Sequence, residues 1–278
     1  MELHEAFHEV PRHMQLQTQK EPQIEKIAAE KAGIIKRNVP VFFDGSNKEA
    51  SDVISRTALS VDAPCREITN HAFEIQEVKR NYIAFSRVNA YDKDTIWKVP
   101  ICGYYQVMNA ELALSAAEYL LRNEEIHMER WVQAVAGMNW GGRMEEVMPH
   151  LIVDGAHNPG AMDAFVKSIE LLNEKIDVLI FSAVSDKKYD QMIAYICEHL
   201  EVETFIVTEI DDWRRVEAEV LFNVFRQHTD REVICKKDIK EAVETAFQMR
   251  KDGEIYCLGS LYLVGMVKNL LLGGGINA

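Results

Sequence analysis

LIVDGAHNPGAMDAFVKSIELL, residues 151–172, passes from an apolar run through a turn into a helical pattern. Leu151 to Asp154 reads as a buried strand. Gly155 permits a tight turn, Asn158 can cap a helix, and Pro159 suits its first position. The helix then runs to about residue 173. Downstream the same alternation repeats. Apolar runs at Val178 to Val184, Thr204 to Thr208, Val233 to Cys235 and Ile255 to Leu258 alternate with helical stretches near 189–199, 216–227 and 238–250, and a last helix lies near 261–271. Short apolar strands separated by helices predict an α/β domain with a parallel or mostly parallel sheet. Ligands of such sheets are met where strands end and the next helices begin.

Those loops hold the candidate chemistry. Asp154 and His157 sit at a helix N-terminus, where backbone N–H groups favour anions; the alternative is a capped turn with a packing histidine. Ser260 follows a strand in Gly259-Ser260-Leu261 and is either an N-cap or a site residue. Lys187 and Lys188 follow another strand, and either balance an anionic substrate or form solvated surface.

Upstream, Asn139-Trp140-Gly141-Gly142-Arg143 breaks the pattern and places a domain joint. Before it, helices are expected from Gly103 to Leu121 and from Met128 to Met138. Tyr82 to Phe85 and Thr95 to Val99 predict an antiparallel hairpin around Asp92 to Asp94. A strand is expected at Val39 to Phe43 and a helix at about 47–60. From Ile24, a 100° repeat puts Ile24, Ile27, Ala28, Lys31, Ile34 and Ile35 on one face. Lys31 is thus expected to be buried; a buried amine is driven towards its neutral form and can react with carbon dioxide to give a carbamate, an oxygen ligand for Mg²⁺. Snorkelling to solvent is its alternative. Residues 1–23 show no periodicity and are expected to be irregular.

The composition narrows the partners. The 278 residues carry a net charge of −13 and no compact basic tract, which disfavours nucleic acid. No apolar run reaches the roughly 18 residues of a membrane span. Five scattered cysteines without a C-x-x-C pair argue against a disulfide framework or zinc ribbon and fit a reducing cytoplasm.

Together, IEKIAAEKAGIIK (24–36), GYYQVMNAELAL (103–114), GGRMEEV (141–147), DGAHNP (154–159) and GSLYL (259–263) resemble, in order and spacing, the folylpolyglutamate synthase/dihydrofolate synthase family of Mur-type ligases. The resemblance implies an ATP- and Mg²⁺-dependent ligase that phosphorylates a carboxylate of folate or dihydropteroate and passes the acyl group to L-glutamate. It also implies roles: Lys31 as the carbamylated magnesium ligand, Gln106 and Asn109 near adenine, Arg143 on the phosphates, Asp154 and His157 at the nucleotide and the chemistry, Ser260 and Lys187 at the substrate. No G-x-x-x-x-G-K-[ST] occurs in the sequence, and Gln17 to Glu21 stand where the family has an Asp-His metal motif. The expected organisation is therefore a non-family segment (1–23), the second half of a P-loop ATPase domain (24–140) and a complete Rossmann-like C-terminal domain (141–278). Two functions follow: a ligase whose P-loop half comes from a separate polypeptide, or a non-catalytic remnant that binds ligand.

Overall fold

A computed structural model describes residues 22–88, 92–100 and 103–274. The chain divides into two compact units, up to Asn70 and from His71. The expectation for residues 1–23 lies almost wholly outside the described residues.

The first unit holds helix α1 (Pro22–Ala32), strand β1 (Val41–Asp44), helix α2 (Lys48–Ser60) and strand β2 (Cys65–Ile68). The strands pair in parallel, Val41 opposite Cys65 and Asp44 opposite Ile68. Asn47 caps α2 by accepting from the Ala50 amide at 3.0 Å. The expected apolar stripe on α1 needs correction. The helix ends at Ala32, so Ile34 and Ile35 lie beyond it. Its buried residues are the small Ala28 and Ala32, which let α1 pack against α2. Ile27 and Ile34 are exposed, and so is Lys31, which is not the buried lysine the spacing predicts.

The second unit begins with a three-stranded antiparallel sheet, β3 (Phe73–Lys79), β4 (Tyr82–Arg87) and β5 (Trp97–Val99), in that order. The β4–β5 hairpin is the one the sequence predicts. Strand β3 goes unseen in the sequence because a register shift between Ile75 and Glu77 breaks its alternation. Helices α3 (Tyr105–Leu120) and α4 (Met128–Ala136) follow.

The main sheet has the order β10-β9-β8-β11-β7-β6. Its strands are β6 (Glu145–Met148), β7 (Leu151–Val153), β8 (Ile176–Phe181), β9 (Val202–Val207), β10 (Glu232–Cys235) and β11 (Glu254–Leu258). All pairings are parallel except β6 with β7. The intervening helices are α5 (Pro159–Leu172), α6 (Tyr189–His199), α7 (Ala218–His228), α8 (Ile239–Met249) and α9 (Leu261–Leu272). Both faces are covered, giving a Rossmann-like layering. On one, Val178, Ile180, Ile255 and Cys257 pack with Ala242, Val243 and Ala246 of α8 and with Leu263, Val264 and Val267 of α9. On the other, Phe181 and Phe205 meet Phe225 of α7, and Tyr256 meets Phe165 of α5. Burying each such side chain contributes about 1.5–3 kcal/mol. Among the described residues the cysteines are free, and no helix is long and apolar enough to cross a membrane.

The sequence places a joint at residues 139–143, whereas the compact units part at Asn70. The difference has a cause. Residues 71–140 are pinned to the main sheet by an Arg80–Glu254 ion pair at 2.6 Å, by the Tyr104 amide donating to Ser168 Oγ at 3.0 Å, and by the Tyr105 hydroxyl donating to Asp154 at 2.8 Å.

A buried carboxylate at the start of β8 offers a pH test. Burial alone would push Asp177 up, but the amides of Lys251 (2.6 Å) and Gly253 (2.7 Å) and the Lys175 ammonium outweigh it and hold it below the usual carboxylate range. A depressed carboxylate contributes stability above its unfolded pKa and loses it as pH falls through its folded one. Asp177→Asn should therefore cost about 1–3 kcal/mol at pH 7. Urea melts should show the gap to wild type narrowing below about pH 4.

Candidate nucleotide site

The carboxyl ends of β7, β8 and β11 share one edge because the three strands are parallel neighbours. At that edge a cavity of ≈ 260 Å³ is lined by Tyr105, Asn109, Arg143, Asp154 and His157, and by the first turns of α5. Asn158 caps that helix, accepting from the Ala161 amide at 3.0 Å, and Pro159 takes its first position. The positive end of α5 thus borders the cavity.

Asp154 is only 2% exposed. Its Oδ2 accepts from the Tyr105 hydroxyl at 2.8 Å and the Met144 amide at 2.9 Å, and its Oδ1 accepts from the Ala156 amide at 2.7 Å. Burial pushes its carboxyl above the ordinary value; the three donors and the Arg143 charge offset part of that rise. Burial and the neighbouring carboxylate push the Tyr105 phenol up, so Tyr105 stays a donor. His157 Nδ1–H donates to the Gly155 carbonyl at 2.7 Å, because a carbonyl can only accept. In the neutral ring, Nε2 is then the acceptor. A Cβ on Gly155 would stand 2.4 Å from Arg143 Nη1 and 2.3 Å from Leu261 Cδ2, so a larger residue there would push those two side-chain ends aside. The absent side chain lets the guanidinium lie against the loop, where it can meet a phosphate through its fork of donors.

The other predicted site residues are placed differently. Gln106 is buried and accepts from Asn109 Nδ2 at 2.8 Å, so it holds Asn109 rather than lining the cavity. Ser260 is buried at the start of α9, where its Oγ accepts from the Tyr262 amide at 3.2 Å. Its neighbour Gly259 donates to the Ala156 carbonyl at 3.0 Å, so the loops bearing Ser260 and His157 are adjacent. Lys187 is half-buried in the loop after β8, on the same sheet edge. Lys31 belongs to the first unit. Among the described residues no group of three His, Cys, Asp or Glu side chains gathers to hold a metal ion. Exposed Lys31 offers no such donor set, so Mg²⁺ does not fit here as a protein-held ion. Tyr105 is the site residue that sequence reasoning missed; it lies inside GYYQVMNAELAL but carries no chemical signal until Asp154 is beside it.

Residues 142–260 match the family model of the Mur ligase, glutamate ligase domain. The chain is 26% identical over 258 residues to the folylpolyglutamate synthase of Lacticaseibacillus casei, which spans 90% of this chain and 58% of the relative. Against the dihydrofolate synthase/folylpolyglutamate synthase of Bacillus subtilis it is 31% identical over 179 residues, 61% of this chain and 41% of the relative. The folylpolyglutamate synthase of Mycobacterium tuberculosis, complexed with ADP and AMPPCP, shares the fold with a TM-score of 0.78 at 19% identity, covering 88% of this chain and 59% of that one. The Thermotoga maritima folylpolyglutamate synthase superposes with a TM-score of 0.69 at 25% identity, covering 91% and 59%. The chain therefore spans less than two thirds of the length of these relatives.

Proposed function

We propose, from the match of residues 142–260 to the family model of the Mur ligase, glutamate ligase domain, that this chain is part of an ATP-dependent ligase joining L-glutamate to folate or dihydropteroate through an acyl phosphate. One observation carries the reading: Arg143, His157 and the N-terminus of α5 border one cavity at the carboxyl edge of the parallel sheet. That is a place for a nucleoside polyphosphate. Arg143 takes phosphate oxygens, the α5 amides add partial positive charge, and His157 presents a second polar group. Asn109, steadied by Gln106, lines the same cavity and suits the adenine. Ser260 and Lys187, on neighbouring loops of the same edge, suit the glutamate carboxylates.

Residues 24–140 are read as the second half of an ATPase domain, and the P-loop half as a contribution of another polypeptide segment. ATP supplies the phosphoryl group when bound. Mg²⁺ would screen the phosphates. The free cysteines suit a reducing compartment such as the cytoplasm. The absence of G-x-x-x-x-G-K-[ST] from the sequence favours one second reading, a non-catalytic remnant that binds nucleotide without turning it over.

Calorimetric titration with ADP tests the reading. Wild type should bind, and Arg143→Ala should bind about 10- to 100-fold more weakly, as expected for losing a charge-assisted phosphate contact. A wild-type chain that does not bind ADP, or an unchanged Arg143→Ala variant, would count against the nucleotide assignment.

A further inference from the structure

A cavity that receives a polyanion has a difficulty here, because a buried carboxylate lines it. Asp154 would repel phosphates unless its charge were taken up locally. Two of its three donors are backbone amides, that of Ala156 from its own loop and that of Met144 from the loop before β6. The third is the Tyr105 hydroxyl, reaching from the first turn of α3 across 49 positions in sequence. The reach depends on Gly103, whose missing Cβ leaves room for the Tyr105 ring at 2.8 Å. The other charged or titratable groups lining the cavity with Asp154 are Arg143, from the loop before β6, and His157, from its own loop. The next pair outward, Glu145 with Lys268, is closed on itself at 2.8 Å.

We infer that Tyr105 is a positioning residue that, by holding Asp154 Oδ2, lets the cavity accept a nucleoside polyphosphate beside a buried carboxylate. The inference rests on the nucleotide reading above and adds a residue to it. Tyr105 touches Asp154, and its effect on the ligand runs through that carboxylate. Without the phenol, Oδ2 of the ionised carboxylate is left with the Met144 amide as its one remaining donor beside the phosphates. It then becomes tolerable mainly when protonated, so the penalty for losing Tyr105 grows as pH rises.

The test compares wild type, Tyr105→Phe and Tyr105→Phe/Asp154→Asn by ADP calorimetry at about pH 6 and pH 8.5, read as the affinity ratio to wild type at each pH. His157, Arg143 and the nucleotide's own titration are common to wild type and Tyr105→Phe and cancel in their ratio. Tyr105→Phe should be about 10- to 100-fold weaker at pH 8.5 and recover most of that by pH 6. The double variant's ratio should not change with pH. A Tyr105→Phe loss that is equal at both pH values marks a packing role, and no loss at either also overturns the inference. If wild type binds no ADP, the nucleotide reading fails by itself. The carboxylate's dependence on Tyr105 is then read from urea melts, where the Tyr105→Phe deficit must grow with pH; a pH-independent deficit refutes it.

Discussion

Given ATP, Mg²⁺, L-glutamate and either dihydropteroate or a reduced folate, the 278-residue chain alone should release no ADP above background. Phosphoryl transfer depends on positioning and on neutralising charge around the transferred group. The described cavity supplies Arg143, His157 and one helix N-terminus. All three lie at one sheet edge, and no phosphate-wrapping glycine loop with its lysine occurs anywhere in the sequence. Losing one preorganised electrostatic donor typically costs about 100- to 1,000-fold in rate. Losing a whole phosphate cradle should take turnover below detection. Adding a polypeptide that carries the P-loop half should restore glutamate- and folate-dependent ADP release if the ligase reading is right. ADP release by the chain alone, after host ligase is excluded, would require a phosphate site elsewhere.

Arg87→Met should be among the most destabilising single substitutions in the second unit. Arg87 is 1% exposed. Its Nε donates to Glu111 Oε2 at 2.6 Å and its Nη1 to Asp92 Oδ2 at 3.0 Å, while Glu118 makes a further close pair. Burial works against the cation, but these carboxylates hold Arg87 charged. One positive charge therefore organises three negative ones, joining the end of β4 to α3. Methionine would fill much of the volume yet leave the carboxylates mutually repelling. Breaking a buried pair by removing one partner typically costs about 3–5 kcal/mol. Urea denaturation at pH 7 should show a loss at or above that range. A loss under about 1 kcal/mol would mean that the cluster opens to water at little cost.

The sequence foretells the main sheet better than anything else in the molecule. Strands such as Ile176–Phe181 and Glu254–Leu258 are buried on both faces, so they appear as short, mostly apolar runs set between longer helical stretches. Asn158 and Pro159 then fix the start of α5 in register with the Asp154 loop. Strand β6 escapes notice because it is the antiparallel edge strand and reads Glu-Glu-Val-Met. Lys31 misleads because periodicity extends the apolar face past Ala32, while the helix ends there and packs on alanines. The cavity is half legible. Asp154 and His157 stand out by their place at a helix N-terminus and Arg143 only through the family resemblance, while the Tyr105 contact is a tertiary meeting of distant residues that no local pattern encodes.

A crystal structure of this chain with ADP addresses the nucleotide assignment most directly. The account predicts the phosphates at the N-terminus of α5, within hydrogen-bond reach of Arg143, with His157 beside them and the base towards Asn109. ADP bound elsewhere, with this cavity left to solvent, would contradict it.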